Sequence, residues 1–223
     1  MKHLFLMVVL TFCVFSQYTF SQETVENPEK YTAHNKGKFY IFWGGNRESF
    51  SKSDIRFKGA DYDFTLHNVA AHDKPKGFHI DYFNPARMTI PQTNLRIGYF
   101  ISDHYNISIG FDHMKYVMDQ NQTVNINGHI TDPTYAGMVQ NGQVNLSDEQ
   151  FLTFEHTDGL NYINLGLEKY KNVLSKKDFN MFWAYGGGIG ALMPKSNVKL
   201  FGNERSDRYH LAGFGLDART SIN

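Results

Sequence analysis

Three titratable side chains lie within four residues in the stretch FEHTDGLNY, residues 154–162. They are Glu155, His156 and Asp158. Imidazole titrates near neutral pH and a neighbouring carboxylate can fix its tautomer, so the trio predicts a general base oriented by a carboxylate. Neighbouring residues of a strand point to opposite faces, so only one of Glu155 and His156 can face a shared site. The alternative is a polar strand end followed by a turn at Asp158 and Gly159.

A second titratable group lies in DHMKY, residues 112–116. Asp112 and His113 could support the histidine of the first group. By strand alternation His113 and Lys115 face outward into the lipid headgroup zone, where Lys115 could bind a lipopolysaccharide phosphate as a point charge. The alternative is structural: an inward-facing Asp112 paired with Arg96, because charges inside a barrel are normally paired.

Four further aspartates could supply oxygen ligands to calcium, although their spacing matches no calcium loop. They are Asp54, Asp61, Asp63 and Asp73. We keep Asp63 and Asp73, with Lys115 and Arg96, as candidate ligand-binding residues. The histidines lack zinc-ligand spacing, so we expect no metal site and no cofactor, with calcium as the one alternative.

Strands with alternating apolar and polar residues must position these groups. Alternation is clearest in two segments that only SDH, residues 102–104, separates, which predicts a tight hairpin. In all we predict strands near residues 37–48, 90–101, 105–119, 159–170, 180–193 and 208–220. Their second faces carry polar residues, alanine or glycine, which suits a narrow barrel interior where bulky polar neighbours need room.

The composition favours a membrane barrel over a soluble core. Aromatic residues make up 15% of the chain and glycines number 19, yet mean hydropathy is −0.44. Aromatic girdles around a polar interior would explain this combination. We predict an all-β, antiparallel, up-and-down transmembrane β-barrel.

The strand number leaves two interpretations open. The smallest single-chain bacterial barrels have about eight strands, and the chain ends in RTSIN rather than in an aromatic residue. We therefore expect eight or more strands in the complete barrel and a truncated C-terminus. The alternative is that DIRF and DYDFTLHNV supply two further strands.

The lengths of the connections predict the orientation, because such barrels have short periplasmic turns and long extracellular loops. SDH and residues 171–179 are then periplasmic, and residues 45–89, 119–150 and 194–208 form the outer loops. DHMKY and EHTDG end two strands that one outer loop joins, so we expect them to be neighbours near the outer rim.

The first residues indicate export. Lys2 precedes an apolar run of 12 residues, 4–15, which is shorter than the roughly 20 residues of a spanning helix. We predict a Sec-type signal peptide at 1–21, an N-terminal periplasmic lead at 22–36 and the barrel at 37–223, in the outer membrane of a Gram-negative cell. The only cysteine, Cys13, lies in the signal, so the mature chain has no disulfide and no thiol nucleophile.

The charge balance excludes a strong polyanion partner. Removing Lys2 from the 22 basic residues leaves 21 against 22 acidic ones. We expect no nucleic-acid partner. The expected partners are outer-membrane lipids, lipopolysaccharide and the barrel-assembly machinery.

Four blocks of the sequence resemble an uncharacterised family of Gram-negative outer-membrane β-barrel proteins. They are SDIRFKGADYDFTLHNVAAHDKP, IPQTNLRIGYF, GFDHMKYVM and FEHTDGLNY. The resemblance implies a fold and a location, and the family brings no established activity. A weaker similarity is to the lipid A deacylase barrels. His156 of this chain matches their catalytic histidine, but Asp158 occupies the position of their nucleophilic serine.

These observations give three functional hypotheses. The first is a non-enzymatic envelope protein whose loops bind surface ligands or support membrane integrity. The second is a lipid A or phospholipid ester hydrolase at the outer rim, and the third is a secreted lipocalin-like barrel with an apolar interior.

Overall fold

The structure is a computed structural model that describes residues 34–77, 79–80, 92–176 and 179–223. The predicted signal peptide and residues 22–33 of the predicted periplasmic lead lie outside the described residues. The elements are β1 (Phe39–Gly45), β2 (Ser53–Lys58), β3 (Tyr62–Val69), β4 (Ala71–His72), β5 (Thr93–Phe100), β6 (Tyr105–Met118), β7 (Thr123–Ile130), α1 (Ala136–Asn141), β8 (Gln143–Asn145), β9 (Leu152–Lys176), β10 (Phe179–Pro194), β11 (Asn197–Leu200), β12 (Asn203–Ser206) and β13 (Gly213–Ile222).

The main sheet follows the order β1-β5-β6-β9-β10-β13, with every neighbouring pair antiparallel. These are the six strands that alternation predicts, and the hairpin at SDH joins β5 to β6 as expected. β9 is much longer than predicted, because it begins at Leu152 and runs for 25 residues. The turn predicted at Asp158 and Gly159 is therefore wrong: the strand continues through a register shift, where Gly159 has φ +142°.

The two faces of this sheet differ in polarity. On one face the apolar rows are exposed, with Ile109 at 62% and Leu165 at 59%. On the other face polar residues are buried, with Asn106 at 0% and Asn164 at 2%. The predicted apolar and polar rows are confirmed, and the apolar row is the outward one.

The polar face is concave. Adjacent strands lie about 4.8 Å apart, so residues three strands apart in a flat sheet are separated by about 14 Å. Tyr40 on β1 nevertheless donates a hydrogen bond of 3.1 Å to Glu168 on β9, three strands away. Glycines make the space for such large side chains: a Cβ on Gly98 would collide with the ring of Tyr40.

The sheet does not close within the described residues. β1 pairs only with β5 there, and β13 pairs only with β10. DIRF and DYDFTLHNV do form strands, β2 and β3. These strands belong to a second sheet with the order β2-β3-β7-β8, so they do not extend the six-stranded path of the main sheet.

The second sheet corrects the assignment of the outer segments as loops. With α1 it packs on the extended ends of β6 and β9 and on β11, which pairs with β9. Its core is fully apolar and buried, and includes Phe64, Leu66, Met118, Phe151 and Leu152. None of the helices in the described residues is long and apolar enough to cross a bilayer.

One face of β6 changes character along the strand. Near the hairpin its buried row consists of Asn106, Ser108 and Gly110, and further along the same row holds Tyr116 and Met118. β9 has the same change, from Glu168 and Asn164 to Phe154 and Leu152. We call this change of polarity along β6 and β9 the crossover. The part of the main sheet on the hairpin side of the crossover is called the wall. The second sheet, together with the strand ends that pack on it, is called the sandwich.

Candidate functional site at the crossover

The crossover brings the two predicted titratable groups together. Tyr116 lies opposite His156 and Val117 lies opposite Glu155 in the β6–β9 ladder. The prediction that DHMKY and EHTDG are neighbours is confirmed. Two strands that continue from the wall into the sandwich position both groups.

His156 belongs to the core side of the sandwich. Its ring lies 5.6 Å from the ring of Tyr116 and 4.8 Å, edge to face, from that of Phe154. Burial lowers the pKa of His156 below its ordinary value, because the charged imidazolium is poorly solvated there. The imidazole is therefore neutral at physiological pH and packs as an aromatic side chain.

Glu155 and Asp158 are each engaged with partners other than His156. Glu155 accepts a hydrogen bond of 2.7 Å from the Thr157 hydroxyl, and its other oxygen lies 3.4 Å from Lys74 Nζ. Asp158 accepts a hydrogen bond of 2.7 Å from Lys195, which holds the pKa of the carboxyl below its usual range. In the described structure neither carboxylate orients the imidazole, so the trio is not assembled as a general base.

Asp112 lies on the concave face, where Arg96 Nη2 is 3.6 Å away and Asn164 donates a hydrogen bond of 2.9 Å. The alternative of an Asp112–Arg96 pair across the hairpin is thus the arrangement observed.

The outward orientation expected for His113 is wrong. His113 is fully buried and its Nδ1 lies 2.7 Å from Asn161 Oδ1. The register shift at Gly159 explains the burial, because the backbone there passes so close to the His113 ring that a Cβ would touch it. Lys115, two residues further on, is partly exposed.

The aspartates considered for calcium are dispersed. Asp63, on the second sheet, accepts two hydrogen bonds of 2.6 and 2.7 Å from Arg56, and Lys58 Nζ lies 3.8 Å away. Asp73 lies elsewhere, beside Glu48 and Gln92. Among the described residues no three histidine, cysteine, aspartate or glutamate side chains are placed to hold a metal ion.

No family model, curated protein or solved structure matches the chain.

Sequence reasoning missed two groups, one at the crossover and one on the concave face of the wall. The side-chain amide of the buried Gln92 donates hydrogen bonds to both Glu48 and Asp73. Burial and the neighbouring Asp73 raise the pKa of Glu48 to about 8. Glu48 lies at the end of the strand predicted at 37–48, beyond the observed end of β1 at Gly45, and its partner Asp73 is 25 residues away in the sequence, so local alternation could not have found the pair.

The second missed group is Arg219, which enters the concave face from β13. It donates a hydrogen bond of 2.6 Å to Asn164 and pairs with Asp217 at 2.5 Å. The pattern D-A-R puts Asp217 and Arg219 on one face of a strand and was a usable signal.

Proposed function

We propose that this protein is an outer-membrane β-barrel protein with no catalytic role, whose wall lies in the bilayer and whose sandwich stands outside the cell to bind surface ligands. The wall would be inserted by the barrel-assembly machinery of a Gram-negative cell. The sandwich lies on the side opposite the short turn at SDH, which is the extracellular side in such barrels.

The observation that carries the proposal is the polarity crossover within β6 and β9. The exposed outer row of the wall is apolar from Tyr105 to Ile109 and from Ile163 to Leu167. An exposed apolar surface of this extent is unfavourable in water and is favoured by lipid. Above the crossover the same strands bury apolar residues, as a domain in water does.

The concave face supports a small or filled lumen. Arg96, Asp112 and Arg219 are mostly buried there and have charged or amide partners. A lipocalin-like carrier would need Ile163, Leu165 and Leu167 to point inward, whereas all three are exposed on the convex face. The wall therefore gives no support to an apolar carrier cavity.

The proposal requires the edges of β1 and β13, which have no partner strand within the described residues, to be paired in the membrane. Unpaired backbone N–H and C=O groups cost several kcal/mol each in hydrocarbon, on the order of a lost hydrogen bond without water to replace it. The pairing strands must complete the barrel around the polar concave face.

Depth-dependent quenching tests the proposal. Leu165→Cys and Thr153→Cys, each in a Cys13→Ser background, are labelled with a thiol-reactive fluorophore. The two labels then lie on the outer row of β9, on either side of the crossover. In vesicles with brominated acyl chains we expect strong quenching at position 165 and little at position 153. A wild-type protein that folds there should also migrate faster on a gel before boiling than after.

Equal quenching at both positions, or a protein that remains in the aqueous phase without a gel shift, would refute the proposed membrane wall.

A further inference from the structure

We propose that Lys115, with Lys74, forms a binding site for the phosphate of a membrane lipid on the convex face at the crossover. The inference rests on the proposed function and names the ligand class of that surface. The ligand is a phosphorylated lipid of the outer leaflet, such as one with a phosphorylated sugar headgroup.

The position of Lys115 supports this assignment. The outward row of β6 consists of Tyr105, Ile107, Ile109 and Phe111 before it reaches the crossover, and Lys115 follows on the same row. His113, between them, is buried and contributes no surface. Lys115 is thus the first cationic side chain above the apolar row, at the height where headgroup phosphates lie if the wall is in the bilayer.

The chain after β4 brings a second lysine, Lys74, to this place. β4 pairs with β6 so that Ala71 lies opposite Met118 and His72 opposite Val117. Extending this antiparallel register by two residues would bring Lys74 level with Lys115. Lys74 Nζ also reaches Glu155 on β9, at 3.4 Å, so its side chain lies over the outer surface of β6.

Lys115 has the charge available for an anion. No carboxylate of the described residues lies within ion-pairing distance of its ammonium group, whereas Lys74 is paired with Glu155 and Lys195 with Asp158. Partial burial and the ammonium groups of Lys74 and Lys76 lower the pKa of Lys115. A phosphate bound here would relieve that repulsion.

The acyl chains of the same lipid would have a surface to lie on. On the hairpin side of Lys115 the convex face has two shallow apolar grooves between its strands. Their walls include Ile109, Leu165 and Ile189. A lipid that joins phosphate to acyl chains therefore matches both parts of the surface, whereas a free phosphate matches only one.

Lipid titration of the full chain in detergent micelles, followed by native mass spectrometry, tests the inference. The probes are bisphosphorylated lipid A and its dephosphorylated form. We expect the phosphorylated probe to bind at least tenfold more tightly than the other. Lys115→Gln should lower its affinity about fivefold, and Lys74→Gln/Lys115→Gln about twentyfold, as expected for one lysine–phosphate attraction each.

Lys169→Gln is the matched control. Lys169 lies on the same convex face at the opposite end of β9, over the ring of Tyr105 at 5.6 Å. Its loss removes the same charge and should leave lipid A affinity unchanged. Equal losses in Lys169→Gln and Lys115→Gln, or no loss in the double variant, would overturn the assigned site.

The source of the phosphate is tested by competition. Millimolar inorganic phosphate should not displace lipid A, and displacement would show a free-anion site instead of a lipid site.

The failure of this inference differs from failure of the proposed function. If the variants insert into vesicles with a normal gel shift but bind lipid A as wild type does, only the lysine site is refuted.

Discussion

The wall and the sandwich share strands β6 and β9 but bury opposite kinds of side chain. In the wall the buried row is polar and the exposed row is apolar, and Asn164 and Leu165 are typical neighbours. In the sandwich Leu152 is buried completely on the row that continues from Asn164. Alternation with a period of two is the same in both regions. The comparison teaches that the period defines a strand, whereas the polarity of its buried row depends on what packs against that row.

The sharpest test of this comparison uses two leucines of β9. Leu152→Ala removes a fully buried side chain from the sandwich core and should destabilise it by about 2–5 kcal/mol. Leu165→Ala changes an exposed side chain of the wall and should change stability by only about 0.5 kcal/mol. Urea unfolding in detergent micelles, monitored by tryptophan fluorescence and circular dichroism, measures both. Equal effects would contradict the inverted burial.

The second test concerns the space inside the wall. Gly98→Ala places a methyl group against the Tyr40 ring and should cost about 1–3 kcal/mol through overpacking. Tyr40→Ala should relieve most of this cost, so the double variant should be more stable than the sum of the two single effects predicts. Gly213→Ala, where a Cβ would meet no atom within 4 Å, is the matched control.

A pH titration examines the junction of wall and sandwich. The pKa of Glu48 is raised to about 8 from 4.5, so the folded state binds its proton more tightly than the unfolded state. The stability that protonation contributes is fully present below about pH 4.5 and is lost as pH rises through about 8. We expect the melting temperature to fall between those values. Glu48→Gln should flatten that fall, and an unchanged slope in this variant would show that another group causes it.

The smallest expected effect is on lipid chemistry. His156→Ala should leave the mass spectra of lipid A and phospholipids from the native host unchanged, because Glu155 and Asp158 are paired with other side chains. A changed spectrum that Asp158→Asn reproduces would instead support the lipid-modifying hypothesis.

The sequence by itself predicted the six strands of the main sheet, their two faces and the short hairpin at SDH. These features follow from local periodicity, which a single chain displays. It also predicted that DHMKY and EHTDG are neighbours, because consecutive strands of a meander must pair.

Only the tertiary structure decided what lies above the wall. The segments predicted as loops form the second sheet. Phe64, Leu66 and Phe151 come into one buried cluster only when β3 packs over the ends of β6 and β9. The same packing buries His113, surrounds His156 with aromatic rings and places Glu48 beside Asp73. Burial and pairing between distant segments determine charge and reactivity, and no periodicity within one segment contains that information.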